Sequence, residues 1–306
     1  MNCDLKVAQE ILRVRLSQLV INEKYKGGSF KVPIHLALGH EAIAVAVDSI
    51  MEDDDKLILT HRNIHYNLAR TKLLKPELDE YLLKKEGVAQ GQLGSMNLAN
   101  EDKNIVYTSS ILGNNLAVAA GVALGEKVKG TNSLVIVVTG DGAMEEGSFY
   151  ENLVFLKSNG LSCLVLVENN GWSLATTIDE RRCNIDIRKI AESLSIRYEK
   201  LVDNDTYRYI EKLNALKQHV LESKTPAVVE IDLTTLGGYY VKAGENTKPR
   251  FINYHAGPAP EVSLKELPLI EESNSDPVFV LLKYFEQSVL EKTSSEILRK
   301  IEHEIH

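Results

Sequence analysis

The chain has 306 residues and a formal net charge of −8, with 44% hydrophobic and 25% charged residues. This is the composition of an ordinary soluble globular protein, which can bury a large core without disulfides. No cluster of Lys and Arg indicates a nucleic-acid surface, and no apolar run reaches the roughly 18 residues of a membrane span.

The cysteines and the first residues bear on the compartment. Cys3, Cys163 and Cys183 have neither metal-binding nor redox-motif spacing, which fits a reducing compartment. Cys163 lies in an apolar run and is interpreted as a core residue, and we expect all three to be dispensable for catalysis. Residues 1–4 lack the basic and apolar regions of a signal peptide, so we expect a cytoplasmic protein.

The first hundred residues predict mainly helices. The predicted helices cover residues 5–25, 41–51 and 61–72, and a short strand covers 56–60. The segment 87–105 contains Gly and Asn with weak periodicity. A stretch of that length without clear elements is more often a functional loop than a spacer.

The middle of the chain alternates strands with helices. Strands are predicted over 133–138, 161–167, 197–201 and 227–233. Helices are predicted over 114–129, 145–158, 189–194 and 205–223. This alternation, with continuous apolar strands, predicts an α/β fold with a doubly wound parallel sheet covered by helices on both faces.

No strand is predicted from Leu264 onward, and 276–306 predicts two helices divided near Lys292-Thr293. We therefore expect an α/β domain over 1–263, beginning with N-terminal helices. A C-terminal helical extension is expected over 264–306.

One predicted strand end carries a carboxylate where a phosphate would fit. The strand ending at Thr139 runs into Gly140-Asp141-Gly142-Ala143 and then a helix. Glycines allow close approach of a ligand, and a helix N-terminus suits a phosphate group. A carboxylate beside phosphate is repulsive unless a cation lies between them, and Mg²⁺ or Ca²⁺ binds oxygen ligands.

The next strand ends at Glu168-Asn169-Asn170-Gly171-Trp172, one helix and one strand later. Consecutive strands of such a unit are usually neighbours, so both ends should open on one edge of the sheet. The Asn170 side chain and the Trp172 backbone carbonyl can then share the metal with Asp141. Either motif alone is a common turn, and the pairing favours a site.

These stretches resemble a known family. Residues 140–152 and 168–176 resemble the thiamine-diphosphate motif in the α subunit of the decarboxylating component of 2-oxo-acid dehydrogenases. Pyruvate, branched-chain and acetoin dehydrogenases belong to that group. The similarity covers nearly the whole chain and includes Gly39-His40-Glu41-Ala42, His61-Arg62, Gly94-Ser95-Met96, Ser110–Gly113 and Asp276-Pro277.

The resemblance implies a residue set for thiamine diphosphate and one Mg²⁺. The metal ligands it implies are Asp141, Asn170 and the carbonyl of Trp172, which stands where the family usually has Tyr. The other cofactor-binding residues it implies are Gly140, Gly142, Ala143, Arg62, Ser110 and Leu112. Arg62 would pair with a phosphate, although a surface ion pair is the alternative.

Two family histidines are missing. Asn97 stands where the family has His after Gly-Ser-Met, and Gly237-Gly238-Tyr239-Tyr240 replaces its Gly-His-Ser loop. That loop His helps to acylate the lipoyl group of the next enzyme, so its loss weakens a dehydrogenase assignment.

Three histidines of this chain are candidates for catalysis. His255 lies in Tyr254-His255-Ala256-Gly257-Pro258, which resembles the His-Gly-Ala-Pro stretch of transketolases, and histidine can move protons near neutral pH. His61 and His65 are predicted to reach the same site. Each of the three can instead be a structural histidine.

Two reactions remain open, both thiamine-dependent cleavage beside a carbonyl. One is decarboxylation of a 2-oxo acid with oxidative acyl transfer to a lipoyl acyltransferase. The other is transfer of a ketol or acyl unit to a carbonyl acceptor, as in a split transketolase-like or carboligating enzyme. A regulatory subunit without turnover is disfavoured by intact Asp141 and Asn170.

The resemblance also implies a partner. A β-type subunit would supply the pyrimidine-binding domain and the activating glutamate, in an α₂β₂ heterotetramer. At 306 residues this chain has room for only one of the two α/β domains that such a site needs.

Overall fold

The computed structural model describes residues 4–241 and 248–306, and a parallel sheet of six strands forms its centre. In chain order the strands are β1 (Lys56–Thr60), β2 (Ile105–Ser109), β3 (Val135–Gly140), β4 (Cys163–Asn169), β5 (Trp172–Ser173), β6 (Thr176–Thr177), β7 (Arg197–Leu201), β8 (Ala227–Asp232), β9 (Tyr239–Val241) and β10 (Arg250–Ile252). The central sheet has the order β2-β1-β3-β4-β8-β7, while β5 pairs with β6 and β9 with β10.

The helices pack on the two faces of this sheet. They are α1 (Leu5–Lys26), α2 (Glu41–Ile50), α3 (Ile64–Thr71), α4 (Lys75–Tyr81), α5 (Asn114–Lys129), α6 (Gly147–Ser158), α7 (Ile178–Arg181), α8 (Ile187–Ser193), α9 (Thr206–Ser223), α10 (Pro277–Leu281) and α11 (Gln287–Ile305). Short 3₁₀ turns cover Glu101–Lys103 and Asp141–Glu145.

Alternate residues of each central strand enter two separate cores. In β4, Leu164 and Leu166 join the core formed with α1, α2, α3 and α9, whereas Val165 and Val167 join the core formed with α5, α6 and α8. A strand that is apolar on both sides needs helices on both sides. The predicted doubly wound α/β fold is therefore confirmed.

The strand order reverses between β1 and β3. From β1 the chain moves outward to β2 on one side and then returns to β3 on the other side. In open α/β sheets the crevice at such a reversal, beyond the carboxyl ends of the strands, is the usual place for a ligand.

Several predicted boundaries differ from those observed. The helix predicted from residue 61 begins at Ile64, because the Asn63 side chain donates to the carbonyls of Thr60, His61 and Ser95 and holds the preceding turn. The strand β2 was not predicted. It is an edge strand that pairs with β1 alone in the central sheet, and its first residue was assigned to the predicted loop 87–105.

The predicted loop 87–105 is organised by a buried carboxylate. Glu80, at the end of α4, is fully buried and accepts backbone hydrogen bonds from Ala89, Gly91, Leu93 and Gly94 at 2.8–3.0 Å. A carboxylate that gathers four N–H groups can replace secondary structure as the scaffold of a loop.

The two predicted C-terminal helices are present, but the division near Lys292-Thr293 is wrong. The break lies between Leu281 and Gln287, and Thr293 lies inside α11. The Thr293 hydroxyl donates to the Val289 carbonyl at 2.7 Å, so it is satisfied without ending the helix.

A buried ion network connects this C-terminal part to the N-terminal helices. Arg15 of α1 pairs with Glu41 at 2.6 Å and with Asp276, the residue before α10, at 2.9 Å. All three side chains have no exposed surface. The division into 1–263 and 264–306 stays a prediction.

The described residues bear on membrane spans and on the cysteines. Among residues 4–241 and 248–306, no helix combines the length and apolarity that crossing a bilayer requires. Cys163 is buried in the core as predicted, Cys183 is exposed, and neither is in a disulfide. Cys3 lies outside the described residues, and the dispensability of the three for catalysis stays a prediction.

Candidate active site

A cavity opens beyond the carboxyl ends of β1, β2, β3 and β4, across the point where the strand order reverses, which is the usual place for a ligand in open α/β sheets. We call it the sheet-edge cavity. The sequence-predicted residues that line it are His61, Arg62, Ser110, Leu112, Gly140, Asp141, Gly142, Ala143, Asn170, Trp172 and His255.

Asp141 places a carboxylate in this cavity. It begins the 3₁₀ turn that follows β3, and only 2% of its surface is exposed. Arg181, the last residue of α7, donates from Nη2 to Asp141 Oδ2 at 2.8 Å. Burial raises the pKa of Asp141 above its ordinary value, although the Arg181 charge opposes that shift.

The neighbouring strand brings Asn170 to the same cavity. β3 and β4 are adjacent, with Gly140 opposite Glu168, as the single crossover predicts. Asn170 lines the cavity, whereas Asn169 donates from Nδ2 to Glu230 Oε1 at 2.9 Å, towards β8. The two asparagines therefore differ in direction, and Asn170 is the one that faces the ligand space.

These residues fit a hard divalent cation beside a diphosphate. A buried carboxylate, a side-chain amide and backbone carbonyls are all oxygen donors, the ligands that Mg²⁺ prefers. Asp141 is buried at the N-terminal end of the turn leading to α6, where a phosphate is also favoured. A carboxylate retained in that position requires a cation, which Arg181 supplies in this conformation.

Arg62 is not the surface ion pair considered from the sequence. It is 7% exposed, and it donates from Nη1 to the Leu36 carbonyl and from Nη2 to the His255 carbonyl at 3.0 Å. Its guanidinium also lies 6.0 Å from the centre of the Tyr254 ring. Arg62 thus supplies positive charge to the cavity and fixes the loop that carries His255.

Three imidazoles meet beside Arg62. His35 lies 4.9 Å, between ring centroids, from both His61 and His255, and one nitrogen of each ring lies within 4.8 Å of the others. Burial, and next the Arg62 charge, lowers the pKa to about 2 for His35 and to about 4 for His61 and His255. The rings are therefore neutral at pH 7, and each can donate one hydrogen bond and accept another.

His65 does not reach the cavity. The side chain is fully buried, and its Nε2 lies 3.1 Å from Glu168 Oε1. The difference arises because α3 begins at Ile64, so that His61 precedes the helix while His65 lies in its first turn and points beneath the cavity. The structure thus places His65 in contact with Glu168 rather than in the cavity lining, and a catalytic role for His65 stays a prediction.

Glu168, the penultimate residue of β4, collects several donors at the floor of the cavity. Oε1 accepts from the Tyr66 hydroxyl at 2.8 Å and faces His65, while Oε2 lies 3.2 Å from His40 Nδ1. Burial would raise the pKa of Glu168, but the two facing histidines lower it well below the ordinary value. Burial lowers the pKa of His40.

Apolar side chains form the rim. Ile111, Leu112 and Leu174 are at least half exposed, and the Trp172 ring meets Phe251 of β10 at a centroid distance of 6.1 Å. The hairpin of β9 and β10 begins at Tyr239, where the resemblance would place a histidine loop. Asn97 accepts from the Ser110 backbone N–H at 3.2 Å, at the edge of the cavity.

Some cavity residues were not selected from the sequence. His40, Glu168 and Asn253 line the cavity, and His35 lies behind it. Glu168 carries a detectable signal, because it is the one charged residue in the otherwise apolar run from Leu161 to Glu168. His35 and Asn253 come from loops that only the folded chain brings to the sheet edge.

Comparison with known proteins places the chain among related sequences. The family described as the dehydrogenase E1 component matches residues 13–238. The α subunit of the pyruvate dehydrogenase E1 component from Rickettsia bellii is 26% identical over 303 residues, covering 94% of this chain and 92% of the relative. The α subunit of acetoin:2,6-dichlorophenolindophenol oxidoreductase from Bacillus subtilis is 32% identical, covering 56% and 51%.

Solved structures agree on the fold. Transketolase from Leishmania mexicana matches all of this chain and 46% of its own length, with a TM-score of 0.59 and 15% identity. A transketolase from Pichia stipitis gives a TM-score of 0.58 over 97% of this chain and 45% of its own length, also at 15% identity. The chain thus spans just under half the length of these transketolases.

Proposed function

The chain belongs to the dehydrogenase E1 component family, and on that premise we propose that the sheet-edge cavity holds thiamine diphosphate through one Mg²⁺. It is an α-type enzyme subunit of the thiamine-diphosphate-dependent, 2-oxo-acid-decarboxylating class. The resemblance found in the sequence is thereby confirmed. The observation that carries the proposal for Mg²⁺ is that Asp141 and Asn170, from adjacent parallel strands, line one cavity.

In this proposal, residues that follow different strands of the sheet bind different parts of the cofactor. Asp141, Asn170 and the Trp172 carbonyl hold the metal. The backbone N–H groups of Gly142 and Ala143 donate to the diphosphate in the turn that follows Gly140, and Arg62 supplies a further positive charge. Ser110 and Leu112, after β2, support the pyrimidine ring.

Bound thiamine diphosphate supplies the nucleophilic carbon for cleavage beside a carbonyl. The protein must then place the substrate and move protons. His255 and His61 line the cavity as neutral imidazoles, so each can accept a proton at its free ring nitrogen and then return that proton in a later step. Arg62 keeps the His255 loop in position through its hydrogen bond to the His255 carbonyl.

The partner and the substrate complete the proposal. The matching relatives are named as α subunits, which implies a β-type subunit for this chain. We propose that this subunit brings the pyrimidine-binding domain and the activating glutamate, in an α₂β₂ assembly that covers the apolar rim. A 2-oxo acid is the substrate we favour, with a lipoyl acyltransferase as the acyl acceptor.

A second candidate reaction is transfer of a ketol or acyl unit to a carbonyl acceptor. The observation that favours it is the position of His255 in the cavity, beside the hairpin that replaces the family's histidine loop. A cluster of neutral imidazoles suits a hydroxylated substrate, since each free ring nitrogen can donate a hydrogen bond to a hydroxyl group or accept one from it. The acceptor therefore distinguishes the two reactions.

Two further parts of the proposal come from the sequence. The cysteine spacing indicates a cytoplasmic location. The loss of predicted strands after residue 263 indicates a helical extension over 264–306 beside the α/β domain over 1–263.

Calorimetry tests the cofactor and its metal. The assembly of this chain with its β-type subunit should bind thiamine diphosphate in the presence of Mg²⁺ and lose that binding in EDTA. Binding that is equal under both conditions would refute the metal assignment while leaving family membership intact.

Turnover tests the division of the site between two chains. The isolated chain, checked by mass spectrometry for co-purifying protein, should process neither 2-oxo acids nor ketoses. Co-expression with a β-type subunit should restore turnover, and assays with lipoyl and aldehyde acceptors identify the reaction. Enzymatic rates from the isolated chain would contradict the split site.

A further inference from the structure

We propose that Thr235 and His40 are positioning residues that fix the orientation of the Asn170 amide, so that its Oδ1 faces the cavity. Asn170 offers an oxygen and a nitrogen of nearly equal size, and only the oxygen can bind a cation. The inference rests on the proposed role of Asn170 as a metal ligand.

A continuous series of hydrogen bonds joins Asn170, Thr235, His40 and Glu168. Asn170 Nδ2 lies 3.0 Å from Thr235 Oγ1, which lies 2.8 Å from His40 Nε2. His40 Nδ1 lies 3.2 Å from Glu168 Oε2. Thr235, His40 and Glu168 are 3%, 1% and 7% exposed, so water does not compete freely along most of the chain.

The direction of every hydrogen bond follows from the first. A carboxylate only accepts, so His40 must carry its proton on Nδ1 to donate to Glu168. The Nε2 of that neutral ring is then an acceptor, and the Thr235 hydroxyl must donate to it. The Thr235 oxygen has only lone pairs left, and the Asn170 group that can meet it is the NH₂.

The Oδ1 of Asn170 is thereby left for the other side. It accepts from the Trp172 backbone N–H at 3.0 Å, and its second lone pair remains for a ligand. With the opposite His40 tautomer, Nε2 would donate to Thr235, and the freed hydroxyl proton would compete with the Trp172 N–H for Oδ1. The His40 tautomer and the Trp172 N–H thus act together to turn Oδ1 towards the ligand.

Gly39 allows the backbone to bring His40 and Thr235 close together. This residue has φ +93°, and a Cβ added there would lie 2.2 Å from the Thr234 carbonyl oxygen. The Leu236 N–H donates to the Leu38 carbonyl at 2.8 Å beside it. Close contact between these two loops, which only glycine allows, sets the distance between His40 and Thr235.

The first experiment measures Mn²⁺ affinity by calorimetry at saturating thiamine diphosphate, on the assembly with the β-type subunit. Loss of a group that orients a metal ligand typically costs about 10–100-fold in metal affinity, and we expect that loss for Thr235→Val. Thr235→Ser keeps the hydroxyl and should restore the affinity. Tyr66→Phe, which removes another hydrogen bond to Glu168, is the matched control and should leave the affinity unchanged.

A second pair of variants separates orientation from packing. In Asn170→Asp the ligand has two equivalent oxygens and needs no orientation, so adding Thr235→Val should cost no further affinity. An equal loss in both backgrounds would overturn the inference, as would wild-type affinity for Thr235→Val when Asn170→Ala binds poorly. Wild-type affinity for Asn170→Ala would instead refute the metal assignment itself, and the inference with it.

A spectroscopic measurement tests the direction of these hydrogen bonds and requires neither metal nor turnover. Nitrogen-15 spectra of histidine-labelled protein, assigned with His40→Gln, should show His40 as the Nδ1–H tautomer. Glu168→Gln, whose amide can donate to Nδ1, should convert it to Nε2–H. The Nε2–H form in the wild-type protein would overturn the proposal.

Discussion

Arg181 donates to Asp141 at 2.8 Å, and the same guanidinium lies 3.0 Å from Glu145 through its other terminal nitrogen. The side chain of Asp141 is 3% exposed in this pair. A cation thus already neutralises the carboxylate that we propose for Mg²⁺. The metal and Arg181 must compete for Asp141 or share it, depending on whether diphosphate is present.

We expect Arg181→Gln to bind free Mn²⁺ about tenfold more tightly in the absence of thiamine diphosphate. A competing charge a few ångströms away costs a bound cation on the order of 1 kcal/mol or more at a partly buried site. Electron paramagnetic resonance of Mn²⁺ measures the affinity. Arg182→Gln loses the contacts to Glu145 and to the Cys183 carbonyl but keeps the Arg181–Asp141 pair, so as the control it should gain less affinity. Weaker binding by Arg181→Gln would contradict the competition.

The two asparagines of the second motif should behave differently. Asn170→Ala is expected to weaken Mg²⁺-dependent binding of thiamine diphosphate at least tenfold, and Asp141→Ala to abolish tight binding. Asn169→Ala should have a smaller effect, because Asn169 pairs with Glu230 on the neighbouring strand. Titration calorimetry compares them. The reverse order of the asparagines would mean that the metal lies one residue earlier.

His255→Ala should reduce turnover of the assembled enzyme by about 10²–10⁴-fold, the usual loss when a general acid or base is removed. Affinity for thiamine diphosphate should change less than threefold, because His255 lies beyond the diphosphate-binding turn. Steady-state rates and calorimetry separate the two effects. His303→Ala, on the exposed C-terminal helix, is the control, and wild-type turnover for His255→Ala would make His255 a structural residue.

Stability should fall as the pH rises, through Glu77. Burial raises the pKa of this fully buried carboxyl to about 8, although hydrogen bonds from Thr71 and Tyr81 oppose the shift. The folded state therefore holds a proton that the unfolded chain loses near pH 4.5. The stabilisation is complete below that pH and is lost towards pH 8, with a slope on the order of 1 kcal/mol per pH unit.

Urea unfolding between pH 5 and 8 measures this dependence. Glu77→Gln keeps a neutral acceptor for Thr71 and Tyr81, and it should flatten the profile. Glu86→Gln, on the exposed part of the loop that follows, is the control and should retain the wild-type slope. A slope that survives in Glu77→Gln would assign the dependence to other groups.

Most of the sheet could be predicted because its strands are continuous apolar runs. Val135–Gly140 and Cys163–Asn169 have both faces buried, so their sequences carry a signal that does not depend on distant contacts. β2 lies at the edge and is only partly buried, and its neighbour β1 decides its state. The helix break before Gln287 was missed because the sequence predicted the division near Lys292-Thr293, which lies inside α11.

The candidate site also has residues that the sequence could predict and residues that it could not. Asp141 and Asn170 follow strands, so the direction of the sheet predicted their meeting. The partners of Glu168 come from two separate parts of the chain, with His40 before α2 and with His65 and Tyr66 in α3. No local pattern indicates such a cluster, since each histidine alone resembles a structural residue. Arg181 was missed because α7 follows an irregular hairpin.

Arg15 and Asp276 are 261 residues apart in the chain, and their ion pair has a consequence for synthesis. On the ribosome, α1 and Glu41 emerge long before Asp276. Until then Arg15 has only Glu41 as a carboxylate partner, and the buried ion network at α1 stays incomplete.

Glu41 also accepts a hydrogen bond from the Gly39 N–H at 2.9 Å, next to His40. Asp276 is therefore connected, through Arg15 and Glu41, to the turn that carries His40 at the floor of the cavity. A chain that stops before Asp276 would therefore lack more than α10 and α11. It would present an unfinished site to the partner subunit, and assembly would select for chains that include Asp276.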